Sequence, residues 1–261
     1  MRILVCVKYV PDSTDDAEFT SDHTLARPDD AGLLSELDEY AIEQALQLRG
    51  RLPAPVQVTA VCMGPDGAET ALRKALQMGA DDAVLICDEA IAGSDVFAST
   101  LILAAAAGKI GDVGLIVCGM SSPDAGTGVL PALLAERLGW PLLSLAAQVD
   151  ATGSGLSITR TDELGTRTVQ AALPAVLSVT DQSGQPRYPT FKDVLSAKKK
   201  PLDYLELDDL EVPAVLVGSD AARVQVIGIV RNPDRAAGRV LPGDSELSLD
   251  ELASFVATAL Q

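Results

Sequence analysis

Four short apolar runs, at residues 2–10, 56–63, 83–87 and 113–118, are each followed by a stretch with helical spacing. Strands alternating with helices leave few options. Right-handed crossovers lay the strands side by side in a parallel sheet and put helices on its faces. The helical stretches carry their own punctuation. Ser35 stands where an N-cap is expected, ahead of acidic Glu36, Asp38 and Glu39, and Leu37, Ala41, Ala45 and Leu48 recur on one face until Gly50. Residues 68–78 form a second helix closed by Gly79, residues 94–108 a third capped by Ser94 or Asp95, and residues 129–138 a fourth. Aromatic residues make up only 3% of a chain that is 48% hydrophobic. Its core must therefore be built from Ala, Val, Leu and Ile, which suits strands buried on both faces.

After residue 150 the pattern changes. Residues 156–161 and 166–173 read as an antiparallel pair, and 175–179 as one more strand. The stretch 181–242 holds only short elements with scattered prolines and mixed charge, so it buries little on its own and is expected to lie on something else. Residues 249–260 read as a terminal amphipathic helix capped by Ser248. The expected fold class is α/β: a doubly wound, mainly parallel sheet with flanking helices, an antiparallel extension and a long C-terminal partner-binding arm. Residues 1–184 are expected to form one α/β domain, and residues 185–261 a C-terminal arm.

Charge and rare residues exclude several functions. The 261 residues carry a formal net charge of −17, which repels nucleic acid and anionic lipid. No apolar stretch approaches the ~18 residues of a membrane span, and no leader pattern is visible, so a cytoplasmic chain without direct membrane insertion is expected. The four cysteines (Cys6, Cys62, Cys87 and Cys118) each fall in or at the end of a strand, and none forms a Cys-x-x-Cys pair. They read as small buried residues in a reducing compartment. The single histidine, His23, sits between Asp22 and Thr24 in a polar loop, so neither a metal site nor a catalytic triad is expected.

Ligands of doubly wound sheets lie at the carboxyl ends of the strands, where strand order reverses. This singles out loops 11–34, 63–67, 88–94 and 119–127. The last is the run Cys118-Gly-Met-Ser-Ser-Pro-Asp-Ala-Gly-Thr-Gly128. A small-residue loop between strand and helix can hold a phosphate on backbone N–H groups and the helix N-terminus, or can be an ordinary turn. It has no Gly-Lys-Ser/Thr ending and follows the fourth strand, so it fits a chain that binds a nucleotide without hydrolysing it. No Gly-x-Gly-x-x-Gly follows the first strand, which counts against a dinucleotide enzyme. The Ser35–Asp38 helix start reads first as plain capping, with a ribose or phosphate contact as the alternative. The run 185–200 holds the only basic cluster, with Phe191, Val194 and Leu195 as an apolar ridge at helical spacing. It is either a docking element or a solvated surface helix.

In this order the pieces resemble the beta subunits of the electron transfer flavoproteins. The resemblance rests on Val7-Lys-Tyr-Val-Pro-Asp12, Leu37-Asp-Glu-Tyr-Ala-Ile-Glu-Gln-Ala-Leu46, Ala75-Leu-Gln-Met-Gly-Ala-Asp81, Leu173-Pro-Ala-Val-Leu-Ser-Val179, Pro186-Arg-Tyr188 and Ala197-Lys-Lys-Lys200. It implies a non-catalytic carrier paired with an alpha subunit that holds most of the FAD, while beta holds a structural AMP. Electrons would come from acyl-CoA-type dehydrogenases and leave to a membrane quinone oxidoreductase, as in fatty acid beta-oxidation. Carried over by position, AMP touches Cys6, Ser35, Glu36, Leu37, Asp38, Met63, Gly119, Met120, Asp124, Ala125, Gly126 and Thr127, and the dehydrogenase anchor falls on Phe191.

The chain also departs from the family. Ser35-Glu36 replaces a common Asn-Pro, residues 162–167 lack the usual acidic signature, and an aromatic that leans on the FAD is replaced near Ser13. A subset of the family binds a second FAD in place of AMP and bifurcates electrons, using a loop that ends in Gln. The corresponding Pro123-Asp-Ala-Gly-Thr-Gly128 has no Gln, which implies AMP. A stand-alone adenine-nucleotide-binding protein is the remaining alternative. It would want a basic residue near Gly126, and none stands there in sequence.

Overall fold

The computed structural model describes residues 1–14, 17–27, 31–53, 55–153, 155–230, 232–233, 237–238, 240 and 246–259. Its elements, in chain order, begin with β1 (Arg2–Cys6), β2 (Tyr9–Pro11), β3 (Gly32–Leu34), α1 (Glu36–Arg49), β4 (Gln57–Met63), α2 (Glu69–Met78) and β5 (Asp82–Ile86). Then follow α3 (Val96–Ile110), β6 (Val113–Gly119), α4 (Leu130–Leu138), β7 (Leu142–Ala146), β8 (Gln148–Thr152), β9 (Gly155–Asp162) and β10 (Gly165–Ala172). Last come β11 (Ala175–Val179), α5 (Phe191–Ala197), β12 (Leu202–Leu205) and α6 (Glu246–Ala259).

Seven strands form one parallel sheet in the order β12-β5-β4-β1-β6-β11-β7. The chain starts at the centre, winds outward through β4 and β5, then crosses β1 to continue at β6. Strand order therefore reverses between β1 and β6. Period-2 alternation on β1 supplies both faces of the sheet. Ile3 and Val5 pack with α1 and α2, and Leu4 and Cys6 pack with α3 and α4. The antiparallel extension is a three-stranded sheet, β10-β9-β8. The chain divides into two compact units, Met1–Ile227 and Gly228–Gln261. In the second, α6 exposes Leu249, Leu252, Phe255 and Val256 along one stripe.

Local boundaries differ from expectation for physical reasons. The run 2–10 is not one strand. The Lys8 N–H leaves the ladder to reach Asp38 Oδ2 at 2.9 Å, and β2 then pairs antiparallel with β3. Likewise 142–149 breaks at Ala147 into β7 of the main sheet and β8 of the extension. Asp95 caps α3, accepting from Phe97 and Ala98 N–H at 2.9 Å each, whereas Ser94 Oγ accepts from Gly218 N–H. Ser35 takes the N-cap position of α1 but its hydroxyl makes no cap bond. Ser248 lies inside α6 rather than at its cap. No helix among the described residues is long and apolar enough to cross a membrane.

Candidate functional site

The reversal point between β1 and β6 is where a doubly wound sheet opens a crevice. Cys6 ends β1 and stands in register with Cys118 on β6. Asp38, in the first turn of α1, is buried behind them. Its carboxylate accepts the Lys8 N–H and faces the Gly119 N–H, so it joins the exits of both strands. Burial pushes this carboxyl up from 3.8 to about 7, against the pull of the two amides, the Ser35 hydroxyl and the Lys8 charge. Gly119 is required by space: a Cβ there would lie 2.6 Å from Asp38 Oδ1 and 2.9 Å from the Leu37 carbonyl oxygen. Beside them the buried Ser35 hydroxyl lies against the Asp38 carboxyl, although no cap bond of good geometry closes there.

Above the strand ends runs the loop between β6 and α4. Gly126 and Gly128 hold positive φ, and the Gly126 N–H donates to the Ser122 carbonyl at 2.8 Å. Ala125, Gly126 and Thr127 are exposed, and α4 starts with no side-chain cap. Pro131 has no N–H, so the Leu130 and Ala132 N–H groups are the ones this helix start offers to an anion. Met63 ends β4, one strand away from β1, and Met120 opens the loop. Asp124 turns inward with its side chain 2% exposed, beneath Lys8 Nζ at 2.9 Å and the Arg27 guanidinium. Burial opposes its charge, but Lys8, Ser122 and Arg27 hold the carboxyl down at about 2. The crevice thus has two cations that are remote from Gly126 in sequence. Next to Asp124 a cleft of about 590 Å³ is lined by Pro11, Asp12, Ser13, Phe19, Leu25 and Pro123, among others.

The other group of expected residues lies elsewhere. Phe191 and Leu195 on α5 are 78% and 47% exposed, with Tyr188 just before them. Val194 is half-buried and contributes less to the exposed ridge. Lys200, past the end of α5, donates to the carbonyls of Leu76 and Ala80 at the C-terminus of α2. That end of α2 leads into the start of β5, so α5 sits toward the amino edge of the sheet, opposite the crevice. The structure therefore gathers Cys6, Ser35, Leu37, Asp38, Gly119 and the 120–127 loop in one place. Glu36 faces solvent at the margin, and the docking ridge is a separate surface.

The model of the electron transfer flavoprotein domain matches residues 22–210. The chain belongs to the electron transfer flavoprotein family, as a beta-type electron transfer subunit. It is 37% identical to the electron transfer flavoprotein subunit beta of Mycobacterium tuberculosis over 249 residues, covering 94% of each chain. It is 32% identical to the acryloyl-CoA reductase electron transfer subunit gamma of Anaerotignum propionicum, covering 97% of this chain and 96% of that one. It is also 28% identical to the caffeyl-CoA reductase-Etf complex subunit CarD of Acetobacterium woodii, covering 100% of this chain and 98% of that one. Three residues at the crevice and its neighbouring cleft, Lys8, Arg27 and Phe19, escape a reading of the sequence. Lys8 has one usable signal, a charged residue at the exit of the central strand. Arg27 and Phe19 sit in a long polar loop with no periodicity to place them.

Proposed function

We propose that this subunit holds one AMP at the β1/β6 crevice as a structural ligand and pairs with an alpha subunit that carries most of the FAD. The observation that carries the reading is the crevice at the strand reversal, where Ser35 and Asp38 are buried beside Gly119 and the α4 start has no side-chain cap. Ser35 and the α1 start fit a nucleoside, and Gly126, Thr127 and the α4 N-terminus fit its phosphate. Cys6, Leu37, Met63, Met120, Asp124 and Ala125 wall the site. When bound, the FAD of the alpha subunit supplies the redox chemistry. The cleft beside Ser13 fits its edge, and Phe19 is the aromatic available there. In this reading residues 1–184 serve the nucleotide and residues 185–261 serve partners. The subunit works in the cytoplasm, with no catalysis of its own. It accepts electrons from acyl-CoA-type dehydrogenases, as in fatty acid beta-oxidation, and passes them to a membrane quinone oxidoreductase.

The test is a nucleotide count on the complex co-purified with its alpha subunit and then denatured. One FAD and one AMP per heterodimer are expected. Two FAD and no AMP would replace this reading with the bifurcating one, which the two reductase-complex relatives keep in view.

Phe191 is the proposed dehydrogenase anchor, because it is the most exposed side chain of the α5 ridge. Removing an interface hot spot costs ~2 kcal/mol or more, roughly thirtyfold in affinity. Phe191→Ala should therefore raise the KM for an acyl-CoA dehydrogenase by about that factor while flavin content stays the same. Equal KM values in variant and parent would remove the anchor.

A further inference from the structure

The segment that carries the α5 ridge is tied down at both ends by contacts that no nucleotide or flavin needs. At its start, three N–H groups converge on Glu43 of α1. Arg187 Nε donates to Oε2 at 2.6 Å, Arg187 Nη2 to Oε1 at 3.0 Å, and the Arg187 backbone N–H to Oε2 at 3.2 Å. The Glu43 side chain is only 8% exposed. Its burial alone would raise the carboxyl, yet Arg187 and Gln47 hold it below the usual range, so the pair is ionised and locked. One residue on, the Gln44 amide donates to the Ser183 carbonyl. At the far end Lys200 Nζ donates to the Leu76 and Ala80 carbonyls at 2.8 and 2.7 Å, a cation on the C-terminus of α2. Between these ties a reciprocal capping box closes the short helix: Thr190 Oγ1 accepts from Asp193 N–H, and Asp193 Oδ2 accepts from Thr190 N–H.

A seven-residue helix has little stability of its own. With Tyr188, Phe191 and Leu195 exposed, such a segment would ordinarily fold back or fray. We infer that Arg187 with Glu43, and Lys200 with the α2 C-terminus, are positioning residues that hold α5 in its docking pose before the partner arrives. Docking then orders little more than side chains, and the ridge meets the dehydrogenase as a rigid knob. Arg187 suits this task because a guanidinium can address both carboxylate oxygens at once, which an ammonium cannot.

This inference rests on the reading of α5 as the dehydrogenase-docking element, so the experiment separates the two. Four complexes with the alpha subunit are compared, carrying Arg187→Lys, Lys200→Met, Phe191→Ala, and Arg187→Lys with Phe191→Ala. The readouts are kcat and KM for a purified acyl-CoA dehydrogenase, together with flavin content. Arg187→Lys is expected to raise KM about tenfold with kcat and flavin content unchanged. The double variant should be no worse than Phe191→Ala alone, since a loose segment without its anchor has nothing left to position. Lys200→Met should act in the same direction, and it carries the test if Arg187→Lys fails to fold. A KM that rises in Phe191→Ala but in neither clamp variant overturns the positioning role and leaves docking intact. A KM unchanged in all the variants overturns the docking reading and the positioning role together.

Discussion

Gly119→Ala is expected to destabilise the protein by ~3 kcal/mol and to abolish nucleotide retention. The added methyl would sit 2.6 Å from Asp38 Oδ1 and 2.9 Å from the Leu37 carbonyl, and neither can step aside. Asp38 is buried and held by the Lys8 amide, and Leu37 is backbone in the first turn of α1. The clash would push the α1 start away from β6 and break the contact between Asp38 and the Gly119 N–H, so the crevice walls would part. At this chain length such a loss lowers Tm by roughly 6–12 °C. Gly114→Ala, on the same strand, is the control. There the methyl meets only the Met1 side chain, at 2.6 Å from its sulfur, and a flexible terminal methionine can move. Calorimetry on both variants, with nucleotide content after gel filtration, checks the contrast. Equal melting temperatures and full nucleotide in Gly119→Ala would show that the strand and helix do not need to approach so closely.

The alternation of strands and helices was legible because it is local. Buried β runs and helical spacing are properties of ten or so neighbouring residues, and right-handed crossovers turn them into a parallel sheet, although the point at which strand order reverses is set by longer-range packing. The crevice loop was legible for the same reason. The ties that shape the sites were not. Lys8 meets Asp124 across 116 residues of chain, and Arg187 meets Glu43 across 144. No periodicity signals such a pair.

One pattern shows how burial overrides a local rule. Ser35-Glu-Leu-Asp38 and Thr190-Phe-Lys-Asp193 share the same spacing of hydroxyl and carboxylate. On the exposed α5 the pair closes into a reciprocal cap. At α1 the same pair is buried. The carboxylate turns to the Lys8 and Gly119 amides, and the hydroxyl lies against it without closing a cap. Sequence alone could not tell the two arrangements apart, because they differ only in what packs above them.

The stability of the nucleotide-free protein is expected to fall as pH rises from 5 to 8, and Asp38 is the cause. Its carboxyl titrates at about 7 in the folded chain against 3.8 when freely solvated. The folded state therefore holds the proton more tightly than the unfolded state. The stability this contributes is complete below about pH 4 and is lost as pH climbs through 7, about 4 kcal/mol in all. The neighbours that face Asp38 do not blur the window. Burial pushes the Cys62 thiol to about 12, and Cys118, through its contact with Cys6 and through burial, also stays protonated. Asp124, held at about 2, has the opposite slope, but its contribution is lost only in strong acid. At ~3 kcal/mol per molar the effect amounts to roughly 1 M in the urea midpoint. Asp38→Asn should flatten the profile, since the amide carries no charge to bury, although it leaves one of the two facing amides without an acceptor. A wild-type midpoint that holds level from pH 5 to 8 would mean that the Asp38 carboxylate is better solvated than its burial implies. Nucleotide binding sharpens the argument. A ribose hydroxyl or base amine that donates to the crevice favours the ionised carboxylate, so the loaded protein should lose most of the slope. By linkage, nucleotide affinity should then rise with pH over the same window, as equilibrium dialysis of AMP at pH 6 and pH 8 would read once the Asp38→Asn protein is used to subtract the titration of the phosphate itself at about 6.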